Sequence, residues 1–222
     1  LDFLLLAMDI MYLRKECKKW YDCILYAVFI IFLDRTANSR TAEVIIAMLI
    51  VIHLLSIVIP KNWFHKMMVL FTSGAFLLCV GIPFIGSYLY IHKPELFLQH
   101  DGTMLSRIQL TTTFYLRNGG FGFYGFPIED QDCLDMMFSY IGLHWGTAAF
   151  IIISAAIIYA IYKASREQHT SFLILLFFFL VYGWAEVAPI YPVYSYLSLL
   201  LGYYIMNRKP FYCKRPYTCA NF

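Results

Sequence analysis

Long apolar stretches recur along almost the whole chain, and the short segments between them carry nearly all of the charge. Hydrophobic residues make up 61% of the 222 residues and charged residues 14%, whereas soluble domains carry roughly 25% charged residues. So few charged side chains could not cover the surface of a soluble domain of this size. Disordered chains are polar and poor in aromatic residues, whereas this chain is apolar and 19% aromatic, which excludes disorder. The pattern therefore predicts an all-α fold, that of a polytopic helical membrane protein.

A helix that crosses a membrane needs about 20 mostly apolar residues, within a range of about 17–25. We expect about seven such helices in a single transmembrane domain over 1–222, at residues 1–13, 20–33, 41–59, 67–92, 136–162, 170–187 and 189–206. The chain begins at Leu1 inside an apolar stretch, so we expect it to be the C-terminal part of a longer polytopic protein. Pro83 predicts a kink in the fourth of these spans.

The basic residues predict the orientation, because short cytoplasmic loops are enriched in Lys and Arg. The loops on one side carry 12 of the 17 basic residues, and those on the other side carry five, in a consistent alternation. Residues 93–135 then form one large external loop, in which Leu105–Leu116 predicts a short interfacial helix. The net charge is only +3 and no basic face stands out, so no nucleic-acid partner is expected.

Arginines on the predicted external side are exceptions to the enrichment of basic residues in cytoplasmic loops. Arg40 lies in the tight loop that precedes the third span, and Arg107 and Arg117 lie in the large loop. The arginine side chain presents a fork of donors that suits phosphate oxygens, and its charge persists at physiological pH. Snorkelling, helix capping by Ser39, or pairing of Arg40 with Glu43 are the alternative interpretations of the first of these sites.

The rest of the large loop offers glycines, aromatic rings and carboxylates. Residues 118–126 alternate glycine with aromatic side chains, which could stack on sugars or lie among lipid headgroups. The acidic run that follows contains Asp130, Asp132 and Asp135, which could bind Mg²⁺, favour the start of the next helix, or form a solvated surface. Of the few ionisable groups within the predicted spans, His144 and Glu186 lie near the external side.

Four stretches carry a resemblance to a known family. Residues 38–41 (Asn-Ser-Arg-Thr) are similar to a Ser-Arg that opens a span, and residues 105–107 (Leu-Ser-Arg) to a Ser-Arg of a large external loop. Residues 122–142 are similar to a block with glycines at its ends and aspartates between, and residues 182–186 (Tyr-Gly-Trp-Ala-Glu) to a Y-G-x-x-E motif. In this order they resemble the bacterial O-antigen, capsule and exopolysaccharide repeat-unit polymerases (the Wzy type) and the related O-antigen ligases.

The resemblance implies a glycosyltransferase of the bacterial cytoplasmic (inner) membrane, a multi-pass protein whose active site faces outward. Its substrates would be glycans carried on undecaprenyl diphosphate, with the lipid bilayer, a chain-length regulator and a flippase as further partners. Arginines can stabilise the charge that develops on a leaving diphosphate. We expect Arg40, Arg107 and Arg117 to bind it, with no cofactor and no metal.

The attacking sugar hydroxyl needs a base within hydrogen-bond reach. The candidates are Asp132, Asp135, His144 and Glu186, which the sequence does not rank, and Arg107 is counted with them as a catalytic residue. A transporter or flippase, an O-antigen ligase and a structural membrane subunit are the alternatives. Transporters carry their polar groups inside the spans, whereas here they collect at one external surface, which favours chemistry at the membrane surface.

Overall fold

The computed structural model describes residues 40–97, 103–128, 134–185, 201–202 and 204–206. Within these ranges the chain forms helices and turns, with no strand, which confirms the all-α prediction. The helices are α1 (Arg40–Val58), α2 (Lys61–His92), α3 (Thr103–Arg117), α4 (Met137–Tyr140), a π-helix (Ile141–Trp145), α5 (Thr147–Arg166) and α6 (Thr170–Ala185). A short 3-10 helix (Pro94–Leu96) follows α2, and residues 201–202 and 204–206 are helical.

Two of these helices, α2 and α5, are long and apolar enough to cross a membrane by length and composition. Helices α1 and α6 coincide with predicted spans to within two residues at each end. Helix α2 begins six residues before the predicted span and continues unbroken through Pro83. The predicted spans at 1–13 and 20–33, and most of 189–206, lie outside the described residues, so the number seven is not confirmed.

The prediction of one continuous span over 136–162 was wrong. After one turn of α-helix the backbone widens into the π-helix, and Gly146 then takes φ +93°, which ends the helical path before α5 begins at Thr147. The reason is that a distant loop packs against this break. Phe126 N donates to Leu143 O at 2.9 Å, and Thr147 N donates to Gly122 O at 3.0 Å.

Helices α2 and α6 pack side by side at the centre of the fold. Thr72 Oγ1 donates to the carbonyl of Leu173 at 3.1 Å, and the Cys79 thiol donates to the carbonyl of Leu180 at 2.8 Å. Both bonds join residues that are 101 positions apart in sequence, so the two helices run parallel. Seven residues separate the two donors, which is the spacing that returns a side chain to the same face of a helix.

Helix α6 is largely enclosed, because every residue from Phe172 to Leu180 is buried. A tight turn after α5 returns the chain into α6, so α5 runs antiparallel to both α2 and α6. His65 of α2 contacts both sides of this turn. Its Nε2 donates to the carbonyl of Ser165 at 3.1 Å, and its Nδ1 lies 2.9 Å from the hydroxyl of Thr170.

Candidate functional site

Helix α3 carries Arg107 to the start of the segment that leads into α4. The Nε atom of Arg107 lies 3.8 Å from Oδ2 of Asp135, an ion pair between two residues that the sequence proposed separately. The arginine side chain is 13% exposed and the aspartate side chain 34%. A charge this shielded is screened less by water and salt than a surface charge. The pair therefore offers a positive group and a carboxylate at one partly accessible point.

A second polar contact lies four residues further along both segments. Thr111 Oγ1 donates to Ser139 Oγ at 3.2 Å, and both side chains are buried. Ser139 lies 28 positions after Thr111 in sequence, as Asp135 does after Arg107, so the two segments run parallel here. We call these two contacts the polar ladder. It fixes the position of α3 along the chain segment that holds Asp135.

The glycine-rich loop after α3 is held against the break before α5. Gly122 O accepts a hydrogen bond from Thr147 N, and Phe123 O accepts one from Ala148 N at 3.3 Å. Gly125 takes φ +77° and lies directly against the backbone of His144, where a β-carbon would collide. Glycine is required at such a position because it alone combines positive φ with so close an approach.

His144 lies within the π-helix, at the point where this loop crosses it. Its Nδ1 donates to the carbonyl of Phe126 at 2.8 Å, and its ring packs edge-on against Tyr140. In the neutral ring this bond places the proton on Nδ1 and leaves Nε2 as an acceptor. His144 is thus held in one orientation with one nitrogen able to take a proton.

The remaining predicted site residues are only partly described. Arg117 ends α3 as an exposed residue, and its guanidinium lies 5.2 Å from the ring centre of Phe114. Arg40 begins α1, but its side chain lies outside what the structure describes. Asp132 and Glu186 also lie outside the described residues. The structure thus brings Arg107 and Asp135 together and leaves the proposed roles of Arg40, Asp132 and Glu186 as predictions.

Sequence reasoning missed Thr111 and Ser139. No spacing in the sequence identifies this pair, because Asp135 precedes the start of α4 and the helical spacing of four residues therefore does not relate it to Ser139. Among the described residues, no three His, Cys, Asp or Glu side chains are grouped as metal ligands. Asp130, another of the sequence candidates for Mg²⁺, lies outside those residues together with Asp132.

The chain was compared with known proteins in three ways. No protein-family model, no curated protein and no solved structure matches it.

Proposed function

We propose that this chain is a membrane glycosyltransferase that polymerises oligosaccharide repeat units carried on undecaprenyl diphosphate. The observation that carries the proposal is the ion pair between Arg107 and Asp135, which combines a phosphate-binding group with a base. The motif resemblance described above supports it independently, because both residues belong to the stretches that carry it.

In the reaction, a hydroxyl oxygen of the acceptor sugar attacks the anomeric carbon of the donor glycan. A new glycosidic bond forms, the bond from that carbon to the diphosphate oxygen breaks, and the diphosphate leaves with the bonding electrons. Arg107 stabilises the negative charge that grows on this oxygen. Asp135 takes the proton from the attacking hydroxyl, and its 34% exposed side chain leaves room for an acceptor.

The other candidates act around this pair. Arg40 and Arg117 would hold the remaining phosphate oxygens, since fork-shaped guanidinium groups suit them. His144 is the second candidate base, because its orientation leaves Nε2 able to accept a proton. Asp132 and Glu186 stay in the proposal as further bases.

The proposed location is the bacterial cytoplasmic membrane, with α2 and α5 crossing it and the Arg107 site on the outer side. The apolar length of both helices supports a membrane location. The lipid tail of the substrate would lie along the exposed apolar residues of such helices, which include Leu77 on α2 and Ile152 on α5. A chain-length regulator and a flippase are the proposed protein partners.

One observation favours a second candidate, a transporter or flippase without enzymatic activity. Such proteins bind their substrates at discontinuous helices, and the π-helix and Gly146 interrupt the predicted span at 136–162. An O-antigen ligase would share the lipid-linked donor and differ in its acceptor.

The deciding experiment uses the full-length protein in vesicles with lipid-linked repeat units. We expect a ladder of polymer from the parent protein, no ladder from Arg107→Ala, and a normal ladder from Arg166→Ala, which removes an exposed arginine from the end of α5. Movement of lipid-linked glycan across the bilayer without polymer would favour the flippase. Polymer of normal length from Arg107→Ala would exclude the proposed role of this arginine.

A further inference from the structure

Two aromatic side chains project from the glycine-rich loop beside the start of α5. Tyr124 is 86% exposed and Phe123 is 64% exposed, and their rings meet edge to face with centroids 4.8 Å apart. We call this pair the aromatic tip. Exposed aromatic rings next to each other need an explanation, because contact with water is unfavourable for both.

The backbone beneath the aromatic tip is firmly held. The carbonyl of Gly122 accepts bonds from the amide and the hydroxyl of Thr147, and the carbonyl of Phe123 accepts one from the amide of Ala148. On the other side of the tip, Gly125 packs against the backbone of His144. The tip is therefore attached at the level of the first turn of α5, and its height relative to that helix is fixed.

The level at which the tip is attached is the level at which α5 would enter a membrane. One turn further along α5, Ile151 is 60% and Ile152 is 68% exposed, so an apolar surface for lipid begins there. Aromatic residues are enriched where membrane proteins meet the headgroup region, since their rings are apolar and a tyrosine hydroxyl stays in water. The aromatic tip extends that apolar surface by one helical turn beyond Ile151, toward the start of α5.

We infer that the aromatic tip inserts into the headgroup region of the outer leaflet and anchors the glycine-rich loop to the lipid surface. The inference depends on the part of the proposed function that has α5 crossing the membrane. Because hydrogen bonds already hold the loop against α5, the inserted tip would set the depth of this part of the protein relative to the membrane surface.

The alternative role for the aromatic tip is to bind a sugar, and the local chemistry argues against that role. Sites for small polar ligands combine apolar surface with polar groups that fix orientation. Between Gly119 and Ile128 the only polar side-chain group is the Tyr124 hydroxyl. The preceding Asn118 uses its amide to donate to the carbonyl of Phe114 at 2.9 Å. The two rings are also perpendicular, so they do not share one flat face.

The test measures how deeply each ring lies in the bilayer. Tryptophan replaces Phe123 or Tyr124 in the full-length protein, in vesicles of phosphatidylcholine and phosphatidylglycerol, and the fluorescence of the parent protein is subtracted. Ile158→Trp is the matched control, because this residue is 54% exposed and lies about 16 Å beyond Thr147 along α5. Brominated lipids quench from known depths, and acrylamide quenches from water.

We expect lipids brominated near the headgroup to quench both tip variants most strongly, and lipids brominated near the chain ends to quench Ile158→Trp most strongly. Quenching of the tip by acrylamide alone, with the control quenched by lipid, would overturn the anchor. Loss of that acrylamide quenching when lipid-linked repeat units are added would identify a sugar platform instead. A control that no brominated lipid quenches would overturn both the anchor and the membrane placement.

Polymer formation is measured on the same vesicles, so the two proposals can fail separately. Polymer from a protein whose tip is quenched only from water leaves the proposed activity standing and removes the anchor. A tip that shallow lipid quenches, in a protein that forms no polymer, leaves the anchor standing and contradicts the proposed activity.

Discussion

Arg107 Nε lies 3.8 Å from Asp135 Oδ2, and four residues further on Thr111 donates a hydrogen bond to Ser139. The two contacts of this polar ladder differ in kind. The first joins charges and is partly exposed, whereas the second joins hydroxyl groups and is buried. We therefore expect the first contact to govern activity and the second to govern stability.

Two variants of Arg107 separate the effect of its charge on the polymerisation rate from the effect of its fork of donors. Arg107→Ala removes a charge that stabilises the leaving diphosphate, and we expect polymerisation to slow by about 10²–10³-fold. Arg107→Lys keeps the charge and loses the fork of donors, so its rate should lie between those of the parent and the alanine variant. Initial rates of polymer formation on lipid-linked repeat units measure both. Equal rates for the lysine and alanine variants would contradict the role of the fork.

Asp135→Asn tests the proposed base, because it keeps the shape of the side chain and removes its ability to take a proton. We expect kcat to fall by about 10²–10⁴-fold with little change in KM. Because Arg107 and Asp135 contact each other, the double variant should lose less than the product of the single losses. A raised KM with unchanged kcat would instead indicate that Asp135 only positions the substrate.

The buried part of the ladder predicts an effect on stability. Thr111→Val removes the donor and leaves the buried Ser139 hydroxyl without its partner, which should cost about 1–3 kcal/mol of unfolding free energy. Replacing both partners, with Thr111→Val and Ser139→Ala, should cost less than the sum of the two single changes. Denaturant unfolding in detergent measures all three variants. Strictly additive losses would contradict an interaction between the two hydroxyl groups.

The residue types in the sequence identify the two charged residues of the polar ladder. Their positions along the chain do not predict which residues are in contact. Charged residues in an apolar chain are rare, so Arg107 and Asp135 stand out in the sequence. Threonine and serine are common in helices and carry no such signal. Their pairing depends on how α3 packs against a segment 28 residues away, and no periodicity within either segment specifies that packing.

The break at Gly146 was harder to predict, for a physical reason. An apolar run on both sides of a glycine fits a continuous span equally well, because a glycine within a helix costs only about 1 kcal/mol. What decides the outcome is the loop at 122–126, which supplies hydrogen-bond partners to the interrupted helix. Gly125 lies directly against the backbone of His144, a contact within the protein that the run of glycines in the sequence did not specify.

The glycine-rich loop predicts a graded series of alanine variants. Gly74 lies in α2 with open space around its β-position, so Gly74→Ala should be neutral or stabilising by up to about 1 kcal/mol. Gly119 also has open space but takes φ +71°, so Gly119→Ala should cost about 1–2 kcal/mol. Gly125 adds a collision with the backbone of His144, so Gly125→Ala should be the most destabilising. Thermal unfolding in detergent ranks them, and equal midpoints for the last two would contradict the packing described.

The turn between α5 and α6 predicts a dependence of stability on pH. His169 lies 2.9 Å from the Tyr204 hydroxyl and 3.3 Å from the Glu167 carboxylate. Burial lowers the pKa of His169 below its usual 6.5; Glu167 raises it, and the charges of Lys163 and His65 lower it further. The unfolded chain therefore binds this proton more tightly than the folded protein. The contribution of His169 to stability is complete above pH 6.5 and is lost as the pH falls through the lowered pKa.

We therefore expect His169→Gln to flatten the loss of stability on acidification below pH 6.5, because glutamine keeps a polar group at this position and does not titrate. Gln168→Asn is the matched control, since the residue is exposed, does not titrate and has φ +54°, a conformation that asparagine tolerates. Unfolding midpoints in detergent, measured from above pH 6.5 to well below it, compare the two variants with the parent protein. A slope in His169→Gln equal to that of the parent would mean that other groups cause the acid sensitivity. A flattened slope in Gln168→Asn would mean that the turn responds to any substitution.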